Sequence, residues 1–146
     1  MISFVCVGRV RERFYADGVS CFLSGRNKHS DPVRVIEVPD ESAPEGLSDA
    51  QKRQIIEKEG EAVLRRINTT ATVVALDING AKYTEAEING IIRKHPDVAF
   101  VIGGSLGLGQ NVLERADYRW SLSAMTLPHQ LARVVCLAII TKKGKI

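Results

Sequence analysis

The stretch Val98-Ala99-Phe100-Val101-Ile102-Gly103-Gly104-Ser105-Leu106-Gly107-Leu108 decides how this chain is read. Five apolar residues run without a break and stop at a glycine pair. An unbroken apolar run closed by turn residues reads as a strand buried on both faces, the kind found in parallel sheets. Gly103 and Gly104 open backbone angles closed to other residues and let another group come close to the main chain. In open α/β sheets, ligands sit beyond the carboxyl ends of the strands. This strand tip is therefore the first candidate for a small-molecule site, although a plain tight connection would use the same glycines. The spacing excludes two phosphate-binding patterns. Gly104, Gly107 and Gly109 do not give G-x-G-x-x-G, and no Gly-Lys-Ser/Thr follows.

Outward from that strand, apolar runs predict further strands at Ile2–Val7, Val33–Val38 and 72–78, with 119–123 a fifth strand or an extended segment. Helices are predicted between them. One covers 10–23, with Phe14, Gly18, Cys21 and Phe22 on its inner face and Arg9, Arg11, Glu12 and Arg13 solvated at its start. That basic cluster reads either as a wet face or as an RNA contact. Residues 25–31 form a polar loop, and 39–46 a long loop with two prolines and the acids Asp40, Glu41 and Glu45. Ser48-Asp49-Ala50-Gln51 and Thr84-Glu85-Ala86-Glu87 have the spacing of capping boxes. They open helices reaching about 67, with a stripe of Ile55, Ala62, Val63 and Ile67, and about 94, where Pro96 blocks continuation. Asn79-Gly80 predicts a tight turn. A short helix follows over 110–116, and a last one starts near His129 with Leu131, Val134, Val135, Ala138 and Ile139 inward. The basic end, 141–146, is read as frayed. Strands alternating with helices imply one α/β domain over 1–146, a mostly parallel sheet covered on both faces.

Bulk properties bound the function. The chain has 146 residues, 45% of them hydrophobic, enough for a full core. No apolar run reaches the roughly 18–20 residues of a membrane span, and no signal-peptide pattern opens the chain. Cys6, Cys21 and Cys136 lack metal-type spacing and read as buried or half-buried thiols of a cytosolic protein. A net charge of +3 permits a nucleic-acid partner without requiring one. His29, His95 and His129 are scattered, so no metal site is expected. Gly103-Gly104-Ser105-Leu106-Gly107 contains G-x-S-x-G literally, but only His129 follows it as a partner. Tyr118-Arg119-Trp120 is a single basic–aromatic triplet, a weak nucleic-acid signal. What remains is a pocket lined by main-chain groups where Leu76, Gly103, Gly104 and the stretch 122–127 meet, apolar-walled and able to hold an adenine by backbone hydrogen bonds.

Five motifs then resemble one family in order and spacing. They are Val5-Cys6-Val7-Gly8-Arg9, Ile36-Glu37-Val38-Pro39-Asp40-Glu41, Glu57-Lys58-Glu59-Gly60-Glu61, the 101–108 stretch, and Leu122-Ser123-Ala124-Met125-Thr126-Leu127-Pro128-His129-Gln130-Leu131-Ala132-Arg133-Val134-Val135. Together they resemble the bacterial large-subunit ribosomal RNA methyltransferase H family, in the SPOUT class of S-adenosylmethionine-dependent methyltransferases, from Met1 to about Val135. The resemblance implies a C-terminal segment threaded into a deep trefoil knot, an exception to the un-knotted rule, and a cytoplasmic homodimer without metal or membrane. It implies that Leu76, Gly103, Gly104, Leu122, Ser123, Ala124, Met125, Thr126 and Leu127 contact S-adenosylmethionine. The implied reaction methylates N3 of a pseudouridine in 23S rRNA of the assembled ribosome.

His129 is the named candidate for taking the N3 proton, with a packing and helix-start role as the alternative. Arg133 is the second candidate, facing either RNA phosphate or the partner subunit. The end departs from the family. Family members carry a Tyr-Arg pair and a Pro-Tyr-His-Lys-like tail, whereas 136–146 here has neither and offers Lys142, Lys143 and Lys145. Two readings follow: an active rRNA methyltransferase, or a knotted dimer that binds S-adenosylmethionine but lacks the C-terminal base contacts. A Ser105 hydrolase is a third.

Overall fold

The structure, a computed structural model, describes residues 1–24, 32–41 and 44–141. The polar loop at 25–31, part of the acidic loop and the basic tail 142–146 lie outside the described residues. In chain order the elements are β1 (Ile2–Val7), α1 (Arg13–Ser24), β2 (Val33–Val38), α2 (Asp49–Arg65), β3 (Thr72–Ala81), α3 (Glu85–Lys94), β4 (Val98–Ile102), α4 (Gln110–Arg115), β5 (Tyr118–Trp120) and α5 (His129–Thr141). The five strands form one sheet in the order β2-β1-β4-β3-β5, and every pairing is parallel.

Alternation along the strands divides the core. Ile2, Phe4, Cys6, Val98, Phe100 and Ile102 face one layer, which holds α3 and α5 and has Val19 and Phe22 of α1 packed on it. Val5, Val7, Val73 and Val101 face the other, closed by Val63 of α2 and Val112 of α4. Each central strand is thus apolar on both sides, as a two-faced parallel sheet demands. The chain must therefore cross from the α4 layer to the α5 layer after β5, around the carboxyl ends of the strands.

Several local expectations change. α1 begins at Arg13, later than expected; ahead of it the Val10 and Arg11 N–H groups donate to Glu37 Oε2 (3.1 Å) and Gln130 Oε1 (3.4 Å), which hold that stretch against β2 and α5. Its inner face shifts accordingly: Phe14 is 76% exposed and Cys21 is exposed, while Gly18 lies against Val134. β3 runs through Asn79-Gly80 instead of turning there. A Cβ on Gly80 would stand 2.5 Å from the Arg119 carbonyl oxygen, so glycine is what lets β5 lie this close. The Ser121 N–H then reaches the Ala81 carbonyl at 2.8 Å. β5 stops at Trp120, short of Ser123, because Ser121 Oγ donates to the Ser123 carbonyl and Ser123 Oγ accepts the Met125 N–H. These local serine bonds replace the ladder. The box at Ser48 is complete, whereas Thr84 provides only the hydroxyl half, its own O–H donating to the Glu87 carboxylate.

α5 is also turned from its expected setting. Arg133, Cys136, Leu137, Ile140 and Thr141 are buried, and Leu131, Val134, Val135, Ala138 and Ile139 are half-covered. The cause is Arg133, only 1% exposed. Its guanidinium donates to Glu37 Oε2 at 2.6 Å and to the Gly8 carbonyl at 2.9 Å. Gly8 has φ +88°, an angle that glycine adopts freely. A buried guanidinium needs such partners, and the helix rotates to meet them.

This arrangement fixes an order of sensitivity. Glu37→Ala strands a buried cation and is expected to cost about 3–5 kcal/mol. Arg133→Met leaves a carboxylate whose side chain is 36% exposed and can reach water, so the expected cost is nearer 1–2 kcal/mol. Urea denaturation of the two variants measures the order; a greater loss for Arg133→Met contradicts this account.

Candidate functional site

The carboxyl ends of β4, β3 and β5 are neighbours, and a cavity of about 730 Å³ opens over them. Three pieces of chain make most of its wall, with Leu113 of α4 and Trp120 of β5 completing it. The end of β3 supplies Leu76, Asp77, Ile78 and Asn79, the glycine turn after β4 supplies Gly104 to Leu108, and the segment after β5 supplies Leu122, Ser123, Met125, Thr126, Leu127 and Pro128, continuing into His129 and Ala132 of α5. The volume lies inside the roughly 300–1,000 Å³ range of small-molecule and cofactor sites.

The glycine turn is built by its spacing. Gly107 donates its N–H to the Gly104 carbonyl at 3.0 Å and has φ +86°. Gly103 is not part of the wall. Its role is to let the turn fold back: a Cβ there would meet the Gly107 carbonyl carbon at 2.7 Å. Ser105 sits in this turn, and α4 starts only at Gln110, so the strand-to-helix elbow of a serine hydrolase is not formed. Among the lining side chains Asp77, Asn79, Ser105, Ser123, Thr126 and His129 are polar, and Asp77 is the carboxylate. Its Oδ1 accepts the Asn79 N–H at 3.0 Å, fixing its direction.

Of the residues singled out in the sequence, Leu76, Gly104, Leu122, Ser123, Met125, Thr126, Leu127 and His129 come together at this cavity. Gly103 stands behind it, and Ala124 is outside its lining although its neighbours on both sides are within it. Arg133, read as facing RNA phosphate or a partner subunit, is instead buried against Glu37 and Gly8. His129 is half-buried at the start of α5. Burial pushes its pKa below the ordinary imidazole value; the Arg133 guanidinium adds to that, and Asp40 opposes it.

Sequence reasoning missed Asp77, Ile78 and Asn79, because Asn79-Gly80 was read as leaving the strand. Glu59 enters the sequence reading only within the Glu57–Glu61 motif, with no role of its own. Glu59 is buried; its Oε2 accepts the Glu41 N–H at 2.9 Å, and its Oε1 lies 3.8 Å from where a Gly104 Cβ would stand. Burial raises its pKa, the Glu41 N–H pulls it down, and the charges of Asp40 and Glu41 raise it again. A signal was present next door. Gly60 in mid-helix marks a close approach, and Asn111 of α4 fills it, with Nδ2 donating to the Glu57 carbonyl at 3.0 Å. Among the described residues no group of three His, Cys, Asp or Glu could hold a metal ion, and no helix is long and apolar enough to cross a membrane.

Comparison with known proteins agrees with this geometry. A family model described as "Predicted SPOUT methyltransferase" matches residues 1–142. The chain is 39% identical over 150 aligned positions to the ribosomal RNA large subunit methyltransferase H of Carboxydothermus hydrogenoformans, covering 99% of this chain and 94% of that protein. It is 40% identical over 139 positions to the protein of the same name from Lactiplantibacillus plantarum, covering 92% and 87%. Among solved structures it is similar to a ribosomal RNA small subunit methyltransferase E from Neisseria gonorrhoeae bound to S-adenosyl methionine, with a TM-score of 0.51 and 16% identity. That likeness concerns the fold; it covers 94% of this chain, which spans 63% of the other's length. With the family model spanning nearly the whole sequence and two relatives matching it almost end to end, the chain belongs to the SPOUT methyltransferase family.

Proposed function

We propose that this protein is an S-adenosylmethionine-dependent methyltransferase of large-subunit ribosomal RNA, acting on N3 of a pseudouridine in 23S rRNA of the assembled ribosome. The observation that carries the reading is the cavity at three adjacent parallel strand ends, in a chain 39% identical to a large-subunit rRNA methyltransferase H over 99% of its length. Family and fold support the cofactor, and the cavity suits it. Apolar walls from Leu76, Leu106, Leu122 and Leu127 suit an adenosine, and the Asp77 carboxylate suits a cationic sulfonium ligand. Seven of the nine residues assigned to the cofactor from the sequence line the cavity and keep that assignment as contacts; Gly103 supports the turn, and Ala124 holds the 122–127 segment between lining neighbours.

When bound, S-adenosylmethionine supplies an electrophilic methyl group, so the chain need supply no covalent nucleophile. Its residues must hold donor and acceptor in line, a matter of orientation. The glycine turn and the 122–127 segment fix one side with main-chain groups, and the walls exclude water. His129 then accepts the N3 proton of the target base. Its half-buried, neutral imidazole on the cavity wall supports that role. Arg133 positions α5, and so His129, through Glu37 and Gly8.

The same reading includes a single domain over 1–146, a knotted path, a homodimer and a cytoplasmic location. The crossing of the chain from the α4 layer to the α5 layer past the glycine turn supports the threading. The half-covered Leu131, Val135 and Ala138 on α5 support a subunit contact.

Calorimetry should detect S-adenosylmethionine binding, and the protein should transfer a labelled methyl group to ribosomes lacking the modification; no transfer with binding intact would leave the non-catalytic cofactor-binding dimer. Gly103→Ala should push the turn outward and weaken cofactor binding at least about tenfold, of the order of 1.4 kcal/mol; unchanged affinity would remove the turn from the site. The pH dependence has a definite sign. His129 has a folded pKa below its unfolded value of about 6.5. Its stabilising contribution is present above that pH and is lost as pH falls through it, because the unfolded chain takes up the proton first. The acid limb of kcat/KM should accordingly lie below pH 6.5, and His129→Ala should abolish that limb and lower the rate about 10²-fold or more. An unaltered profile would assign His129 to packing.

A further inference from the structure

We propose that the exposed segment from Arg9 to Phe14 is the RNA-docking edge of the cavity, with Phe14 stacking on an unpaired base beside the target and Arg9, Arg11 and Arg13 holding phosphates. This deepens the function proposed above and rests on its assignment of rRNA as substrate. Phe14, at 76%, is the most exposed large apolar side chain among the described residues. Its ring and that of Tyr15 stand edge-to-face, centroids 5.5 Å apart, and three quarters of the side chain stays open to solvent. Arg9, Arg11 and Arg13 are all exposed.

The segment leaves the carboxyl end of β1, beside β4, and is tied to the helix that carries His129. The Arg11 N–H reaches Gln130 Oε1, one residue after His129. Glu37 Oε2 accepts the Val10 N–H and the Arg133 guanidinium together, while Arg133 also holds the Gly8 carbonyl. The buried arginine thus fastens this segment to the helix that carries His129. Arg11 and Arg13 have ion pairs, to Asp40 at 3.8 Å and Asp17 at 3.7 Å, between exposed groups. Such pairs are weak and exchange readily for phosphate.

The chemistry favours RNA over a second copy of the chain. A base entering the cavity must leave its stack, and its neighbour then lacks a partner. An aromatic ring at the rim replaces that partner, the usual mode for unpaired RNA. A two-fold contact through the same segment would instead bring like-charged arginines together.

The test measures three quantities for wild type, Phe14→Ala, Phe14→Tyr and Arg9→Ala/Arg13→Ala: affinity for 70S ribosomes lacking the methyl group at several salt concentrations, S-adenosylmethionine affinity, and mass by light scattering. Phe14→Ala is expected to weaken ribosome binding about 5- to 100-fold, and Phe14→Tyr to restore it within about twofold. The double arginine variant should lower the slope of log affinity against log salt by about one per arginine. Cofactor affinity and mass should not change. Unchanged ribosome affinity in Phe14→Ala, with wild type binding, overturns the inference alone. A change in mass overturns it in favour of a subunit contact. Failure of wild type to bind or methylate ribosomes overturns the rRNA assignment and this inference with it.

Discussion

The arrangement depends on one desolvated charge. Arg133 is shut inside the protein, and a guanidinium there needs its charge paired. Its Nη1 donates to Glu37 and its Nη2 to the Gly8 carbonyl, while the buried Nε has no hydrogen-bond partner among the described residues. Glu37 and Gly8 lie at the carboxyl ends of β2 and β1, and Arg133 lies in the last helix. Satisfying one cation therefore ties the first two strands to the end of the chain. It sets the rotation of α5, the direction of His129 and the place where the chain leaves β1. Apolar packing alone would not select that rotation, since Leu131, Val134, Val135, Ala138 and Ile139 offer an equally greasy face.

The fold was legible in the sequence because its signals were local and repeated. Val98–Ile102 and Val33–Val38 have the bounds their composition indicates, and the caps at Ser48 and Thr84 mark real helix starts. What was not legible depends on contacts distant in sequence. The face of α5 was misjudged because periodicity counts apolar residues and cannot see a carboxylate 96 positions away. Phe14 was placed inward because the helix start depends on Glu37 and Gln130 accepting hydrogen bonds. The course of β3 past Gly80 depends on how closely β5 approaches, which no turn preference encodes.

The site follows the same division. That Gly104, Leu122, Ser123 and residues 125–127 meet at one cavity was legible, because glycine spacing and a stretch following a strand end mark where chain segments converge. Asp77 and Glu59 were not. Each looks like ordinary surface charge until the tertiary structure places one on the cavity wall and the other behind the glycine turn. A pocket that works by main-chain groups and shape leaves little side-chain signature. On the function proposed above, its chemistry is one of orientation and exclusion of water, with few titrating groups. The thiols are consistent with that: burial pushes Cys6 up to about 12, so it stays protonated and inert at neutral pH.

The two margins of the sheet have a consequence for the fate of the chain in a crowded solution. An unpaired strand margin is a template on which foreign chains can add, the first step toward aggregates. On one side the terminal strand, β5, has only three residues, too few to seed an added ladder. On the other, β2 follows Pro32 and carries Arg34 and Glu37 among its valines, which breaks up a continuous sticky ribbon. The brevity that made β5 hard to delimit is thus also what keeps that side of the molecule from recruiting its neighbours.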